Sequence, residues 1–227
     1  QRPQMAQTSL APPIIVIGHM RSGTTRVHTL LAADPAHSHT RYCDAFHPVP
    51  GTTVDLREWA AAFEIGFLSA LNPWLQSIHP IASAAVEEEL GWLAGALQHS
   101  IYESQWRVPS YSAWSEARDA TPIYREFARI LRTATAHRGL ADRPRVLKVP
   151  VFSENLPELL GAFPDARLIL ATRALDDVHR SAVSLVANQM TVQSDSCDLA
   201  WIEADWHRKI DLREERRAAA LRAWSGP

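Results

Sequence analysis

Ile14-Ile15-Val16-Ile17 runs directly into Gly18-His19-Met20-Arg21-Ser22-Gly23-Thr24-Thr25, and the fold is decided there. Four consecutive β-branched residues after Pro12-Pro13 read as a strand buried on both faces, as in a parallel sheet. The G-x-x-x-x-G turn then leads into Val27, Leu30 and Leu31 at helical spacing, and the pattern stops near Asp34-Pro35. Strand, glycine-bearing turn and helix together open an α/β domain. Such a turn gathers backbone N–H groups at the positive end of a helix, where unpaired donors and the dipole favour an anion. Gly18 and Gly23 let the chain turn tightly and approach a phosphate, while Ser22, Thr24 and Thr25 add hydroxyls. A nucleoside-triphosphate loop carries Lys directly after its second glycine. Here Thr24 stands in that place and the cation, Arg21, lies inside the loop. The stretch reads as a phosphate cradle, but not one for ordinary ATP or GTP hydrolysis. A capped β-α turn would use the same residue types; the apolar strand ahead and the helix behind favour the cradle.

The α/β pattern returns later in the chain. Residues 145–149 and 167–171 read as strands, with a short helix over 156–160 between them. After Thr172-Arg173 a helix is expected from Asp176 to Gln189, and another from Asp198 to Trp224 with a solvated Arg/Glu-rich face. Residues 36–53, rich in His, Pro and Thr, read as a loop. Residues 54–71 are helical, with Trp59, Phe63 and Phe67 on one face, and so are 83–99, with Leu90, Leu93 and Leu97 on another. Pro122 suits the first turn of a further helix through Leu131. The expected architecture is one α/β domain over residues 1–227, with a P-loop-like central parallel sheet flanked by helices and an inserted helical cap at 54–137. The unfinished helical pattern before Trp224-Ser225-Gly226-Pro227 suggests missing C-terminal residues.

Composition narrows the classes. With 227 residues, 46% hydrophobic and 21% charged, the chain is neither disordered nor a small disulfide scaffold. It has no apolar run near the roughly 18 residues that span a bilayer and no export signal, so a soluble, cytoplasmic protein is expected. A net charge of −2 argues against a nucleic-acid binder. Cys43 and Cys197 read as free thiols. No Asp/His cluster has metal-ligand spacing, so no metal is expected.

The run from Ile15 to Thr25 resembles the 5′-phosphosulfate loop of the sulfotransferases that use 3′-phosphoadenosine 5′-phosphosulfate (PAPS). Its Arg-Ser-Gly-Thr-Thr form is similar to that of Golgi-type and bacterial members. The resemblance implies that Arg21, Ser22, Gly23, Thr24 and Thr25 hold the 5′ end of the nucleotide. The family's second signature, an Arg at a strand end and a Ser eight residues on, matches Arg173 and Ser181 and implies a 3′-phosphate site. A guanidinium fork and a hydroxyl from the adjoining helix can converge on one phosphate. Asp177 matches an acidic position between them and reads as a turn and cap residue. Leu147-Lys148-Val149-Pro150, Glu154-Asn155-Leu156 and Phe163-Pro164-Asp165-Ala166-Arg167 also resemble the bacterial group. So do His79-Pro80, Glu87-Glu88-Glu89 and Arg107-Val108-Pro109-Ser110-Tyr111 with Trp114. The likeness spans about residues 14–190.

The reaction so implied transfers a sulfuryl group to an acceptor hydroxyl and releases 3′,5′-ADP, by positioning and by cations placed where charge develops. Arg21 suits the leaving-group side, and Lys148 the sulfuryl oxygens. Members often carry a His base where this chain has Phe152, which cannot take a proton. Asp44, in the loop after the first helix, is the leading candidate base, with His79 and Glu88 behind it. Trp59, Phe63, Trp106, Tyr111 and Trp114 could line an acceptor pocket, although aromatic residues at helical spacing are more often core. The acceptor is expected to be a small molecule or a carbohydrate; its identity and the oligomeric state are not legible. The rivals are a nucleoside or nucleotide kinase and a non-catalytic nucleotide-binding module.

Overall fold

A computed structural model describes residues 3–50, 54–78, 80–98 and 100–226. Its elements in chain order are β1 (Ile14–Ile17), α1 (Thr24–Ala32), β2 (Ser38–His39), α2 (Tyr42–Phe46), α3 (Arg57–Leu71), α4 (Leu75–Ile78), α5 (Leu90–Ala94), α6 (Ser100–Gln105), α7 (Pro109–Ala117) and α8 (Thr121–His137). β3 (Arg145–Leu147), α9 (Leu156–Ala162), β4 (Arg167–Leu170), α10 (Leu175–Gln193) and α11 (Leu199–Ala223) complete it. The strands form a sheet of order β2-β3-β1-β4, every pair parallel. Ile14 to Ile17 face Arg167 to Leu170 one for one, and Ile14 and Ile15 face Val146 and Leu147 on the other side. β1 is therefore interior and wholly buried, as its unbroken β-branched run requires. Because the strands are parallel, the loops leaving β1, β3 and β4 emerge at one edge, where ligands of open α/β sheets bind.

Pro122 opens α8 in its first turn, and α8 packs Tyr124, Phe127, Ala128 and Leu131 against the sheet side of the core. There they meet Phe152, Leu156, Leu159 and Phe163. A second core joins α10, through Val178, Ala182, Val186 and Met190, to Ile202, Trp206 and Ile210 of α11. The i, i+4 spacing of the α10 set makes one stripe, and each fully buried side chain contributes about 1.5–3 kcal/mol.

Several local expectations are corrected. Residues 36–53 contain β2 and α2 as well as loop. In 83–99 the described helix is only α5, and Leu97 has φ 53 and is half exposed. α1 buries Thr24, His28 and Ala32 while Leu30 is 64% exposed, so its apolar spacing does not mark the inward face. In α3, Trp59, Phe63 and Phe67 are exposed and Ala61 and Ile65 face inward. α11 has the expected solvated face, with Glu203, Arg208, Asp211 and Glu215 exposed, but it also buries charge on its other side. Lys209 and Arg213 are buried, paired with Glu103 of α6, and Arg213 also holds Glu154 at 3.0 Å.

Candidate functional site

Three strand ends supply the site: the Gly18–Thr25 turn after β1, Lys148 after β3 and Arg173 after β4. Gly18 has φ 148, and an added Cβ would lie 2.6 Å from the Ala171 carbonyl oxygen and 2.9 Å from Ser22 Oγ. Only glycine fits there, and the close approach locks the turn against the end of β4. Gly23, at φ 91, caps α1 with open space around its Cα. Arg21 is also left-handed, at φ 66, a conformation uncommon for a residue with a side chain. Its Nε donates to Ser181 Oγ at 2.9 Å, while Arg173 Nη1 donates to the Arg21 carbonyl oxygen at 3.1 Å. The two signatures, 160 residues apart in sequence, thus touch each other. Asp177, in the first turn of α10, lies 3.7 Å from Arg173 and 2.5 Å from Arg180.

The hydroxyls divide their work. Ser22 is buried and donates to the His19 carbonyl at 2.6 Å, bracing the loop. Thr24 is buried as well, whereas Thr25 is exposed and its Oγ1 accepts from Lys148 Nζ at 3.0 Å. Two further braces carry no motif in sequence. Ser153 Oγ accepts from the Gly18 N–H and donates to the Gly18 carbonyl, both at 3.2 Å. Burial depresses the His19 pKa despite the opposing Glu214 contact, and His19 Nε2 lies 2.6 Å from the Glu214 carboxylate of α11.

Lys148 is 2% exposed, and its ammonium is paired with the Glu88 carboxylate. Its backbone N–H donates to Glu89 Oε2 at 3.2 Å. Burial pushes Glu89 up to about 7. His28 of α1 is pushed down to about 3, first by burial and then by the Lys148 charge. Burying an ammonium is costly without a partner, and Glu88 supplies it.

The other base candidates lie elsewhere. Asp44 of α2 is held by Arg41 at 2.8 Å, Arg57 at 3.0 Å and Arg138 at 3.5 Å, groups outside the cradle. Burial would raise its pKa, but the Arg41 hydrogen bond and the charges of Arg41, Arg138 and Arg57 keep it below the usual carboxylate range. His79 lies outside the described residues. Phe152 is fully buried with ring centroids 5.8 Å from Phe127 and 6.2 Å from Tyr124, so its side chain belongs to the core. The adjacent Ser153 is the residue that reaches the cradle. Tyr111 and Trp114 of α7 join Tyr102 of α6 and Trp106, just past the end of α6, in an aromatic cluster.

A profile described as the sulfotransferase family matches residues 12–223. The chain belongs to the sulfotransferase family. This sulfotransferase-family chain is 26% identical over 187 residues to omega-hydroxy-beta-dihydromenaquinone-9 sulfotransferase Stf3 of Mycobacterium bovis and of Mycobacterium tuberculosis. That match covers 80% of this chain and 47% of the relative, so the chain spans about half the length of the curated relatives it matches. The crystal structure of sulfotransferase STF1 from Mycobacterium tuberculosis H37Rv superimposes with a TM-score of 0.88 at 29% identity, over 99% of this chain and 62% of that one. Sulfotransferase STF9 from Mycobacterium avium has the same fold, with a TM-score of 0.81 at 23% identity, over 99% and 59%. Family membership sets the kinase alternative aside. Among the described residues, no group of three or more His, Cys, Asp or Glu could hold a metal ion, and no helix is long and apolar enough to cross a membrane.

Proposed function

We propose that the protein transfers the sulfuryl group of PAPS to the hydroxyl of a small-molecule acceptor, releasing 3′,5′-ADP. The observation that carries this reading is the Arg21–Ser181 contact, with Arg173 on the Arg21 carbonyl, which joins the two anion-binding signatures into one surface. A nucleotide bearing phosphates at both its 5′ and 3′ ends suits that pair of sites, and PAPS brings with it the activated sulfuryl group. The backbone of Gly18–Thr25 and the Thr25 hydroxyl hold the 5′ end, with Ser22, Gly23 and Thr24 shaping the turn. Arg173 and Ser181 hold the 3′-phosphate. Arg21 reaches both sites and meets charge on the leaving oxygen, and Lys148 faces the sulfuryl oxygens.

Of the three candidate bases, Glu88 has the best position, because its carboxylate already sits on the Lys148 ammonium. In this role it accepts the acceptor's hydroxyl proton as the new O–S bond forms and the bridging S–O bond breaks. Asp44 instead anchors α2 to three arginines. The non-catalytic reading rested on Phe152, which packs in the core; the reading proposed here assigns the proton to Glu88 instead. The mycobacterial relative named for a hydroxylated menaquinone suggests an acceptor of that kind, a small hydroxylated lipid.

Calorimetry is the test. 3′,5′-ADP should bind at least about tenfold tighter than 5′-AMP, a difference of about 1.4 kcal/mol, and PAPS should be consumed in the presence of an alcohol acceptor. Equal affinities for the two nucleotides would overturn the assignment.

A further inference from the structure

We infer that Glu88 sets the relative affinity of this site for donor and product, because it occupies on Lys148 the position that a sulfuryl group needs. The inference rests on the sulfotransferase reading and adds a second role to the proposed base.

The argument starts from burial. Lys148 is 2% exposed and Glu88 7%. Among the described residues, the ammonium of Lys148 meets the Glu88 carboxylate and Thr25 Oγ1, the latter at 3.0 Å. Thr25 is the exposed hydroxyl of the phosphate cradle, so Glu88, Lys148 and the 5′ anion site lie in one line of contacts. Glu88 is itself held by its backbone, whose N–H donates to Glu87 Oε1 at 2.8 Å. Lys148 is fixed on its other side by the Glu89 carboxylate at its N–H. Neither partner is a free surface side chain that could turn away without loss.

A 5′-phosphate alone can sit in the cradle and leave the Glu88–Lys148 pair intact. A 5′-phosphosulfate extends one anionic group further, towards Lys148, and there meets a carboxylate of the same sign in a poorly hydrated place. The sulfuryl group must displace Glu88 from the ammonium before Lys148 can hold it. 3′,5′-ADP carries no such demand. Glu88 therefore penalises donor binding selectively, and the same displacement frees its carboxylate to face the acceptor hydroxyl.

The test compares PAPS and 3′,5′-ADP as ligands, without acceptor, by rapid titration of the intact protein and of Glu88→Gln. Gln keeps the shape and removes the charge. PAPS should bind about tenfold tighter to Glu88→Gln than to the unmodified protein, while 3′,5′-ADP affinity changes less than about twofold. Lys148→Met should abolish the effect of Glu88→Gln on that ratio, because the two substitutions act on one pair. Taking the ratio within each variant cancels any general loss of stability, and thermal melts establish that each is folded. Glu88→Asp, which keeps the charge on a shorter arm, serves if the Gln variant does not fold; it should shift the ratio in the same direction by less. An unchanged ratio in the folded variants overturns the inference and leaves the sulfotransferase reading standing. Failure of the unmodified protein to bind either ligand overturns both.

Discussion

Replacing Asp44 with Asn separates a structural carboxylate from a catalytic one. Asp44 is 5% exposed at its side chain and faces Arg57, 10% exposed, with Arg41 and Arg138 about a quarter exposed. Removing one member of a buried ion pair costs roughly 3–5 kcal/mol, because the partners keep their charge. Two features place Asp44→Asn at the lower end. Arg57 retains Asp55 at 2.6 Å, and the partial exposure of Arg41 and Arg138 lets water screen them. The loss is therefore about 3 kcal/mol. For a domain of this size each kcal/mol moves Tm by roughly 2–4 °C, so the melt should fall by about 6–12 °C. The effect should also depend on pH with a defined sign. Asp44 is held below its ordinary pKa, so its contribution is present above the unfolded-state value, about 3.9, and disappears as pH falls through the folded value. Calorimetric melts at pH 7 and pH 3 measure this, alongside 3′,5′-ADP affinity and turnover with an aliphatic alcohol well below the melt. Turnover and affinity should stay within about threefold. A rate loss of about 10²-fold or more with Tm and affinity intact would refute the reasoning and return Asp44 to the role of base.

Arg173→Ala should cost about tenfold in 3′,5′-ADP affinity and little in 5′-AMP affinity by calorimetry. A charge-assisted hydrogen bond is worth roughly 1.5–3 kcal/mol, and the 44% exposure of Arg173 selects the low end. Lys148→Met should lower kcat far more than it weakens 3′,5′-ADP binding, since the ammonium is proposed to meet charge that grows during transfer; equal losses in both would remove that role. Glu89→Gln should flatten the dependence of Tm on pH between about 4.5 and 7. With the folded pKa raised to about 7, the unmodified protein is favoured below the unfolded-state value and loses about 3 kcal/mol of that advantage by pH 7. A variant with the same pH slope as the parent would contradict the assignment.

Regular segments with one dominant period were legible from the residues alone. The β-branched run at 14–17, the returns near 145 and 167 and the proline at the start of α8 each carried a local signal that the tertiary structure keeps. The tight turn after β1 was legible for a second reason: Gly18 is demanded by the backbone itself, by its φ and by the Ala171 carbonyl. Where charge replaces apolarity inside the protein, the same reading is incomplete. α11 looks like a solvated helix because Lys209 and Arg213 are charged, yet their compensating Glu103 and Glu154 lie about 60 to 110 residues away in sequence. Periodicity counts hydrophobic atoms and cannot see a buried ion pair whose other half is remote. α3 is the expected helix with Trp59, Phe63 and Phe67 on one face, but that face points outward, which periodicity alone does not say.

The choice of base shows the same limit at the scale of single side chains. Glu87, Glu88 and Glu89 read as one acidic cluster in sequence, with nothing to rank its members. They lie in irregular backbone just before α5, where neither a period of 2 nor one of 3.6 assigns a face. The three consecutive carboxylates there have different contacts. Glu87 accepts from the next backbone N–H, Glu88 meets the Lys148 ammonium, and Glu89 holds the Lys148 backbone. Position 152 misleads for a related reason. It follows Lys148 closely in sequence, but the turn over Pro150–Ser153 sends Phe152 into the core and Ser153 to Gly18. A histidine at position 152 with that backbone would be buried against Tyr124 and Phe127 rather than near the cradle. Proximity in sequence to the strand-end lysine therefore says little about which group can take a proton, whereas contact with its ammonium says a good deal. On that ground Glu88 replaces Asp44 as the residue to test first.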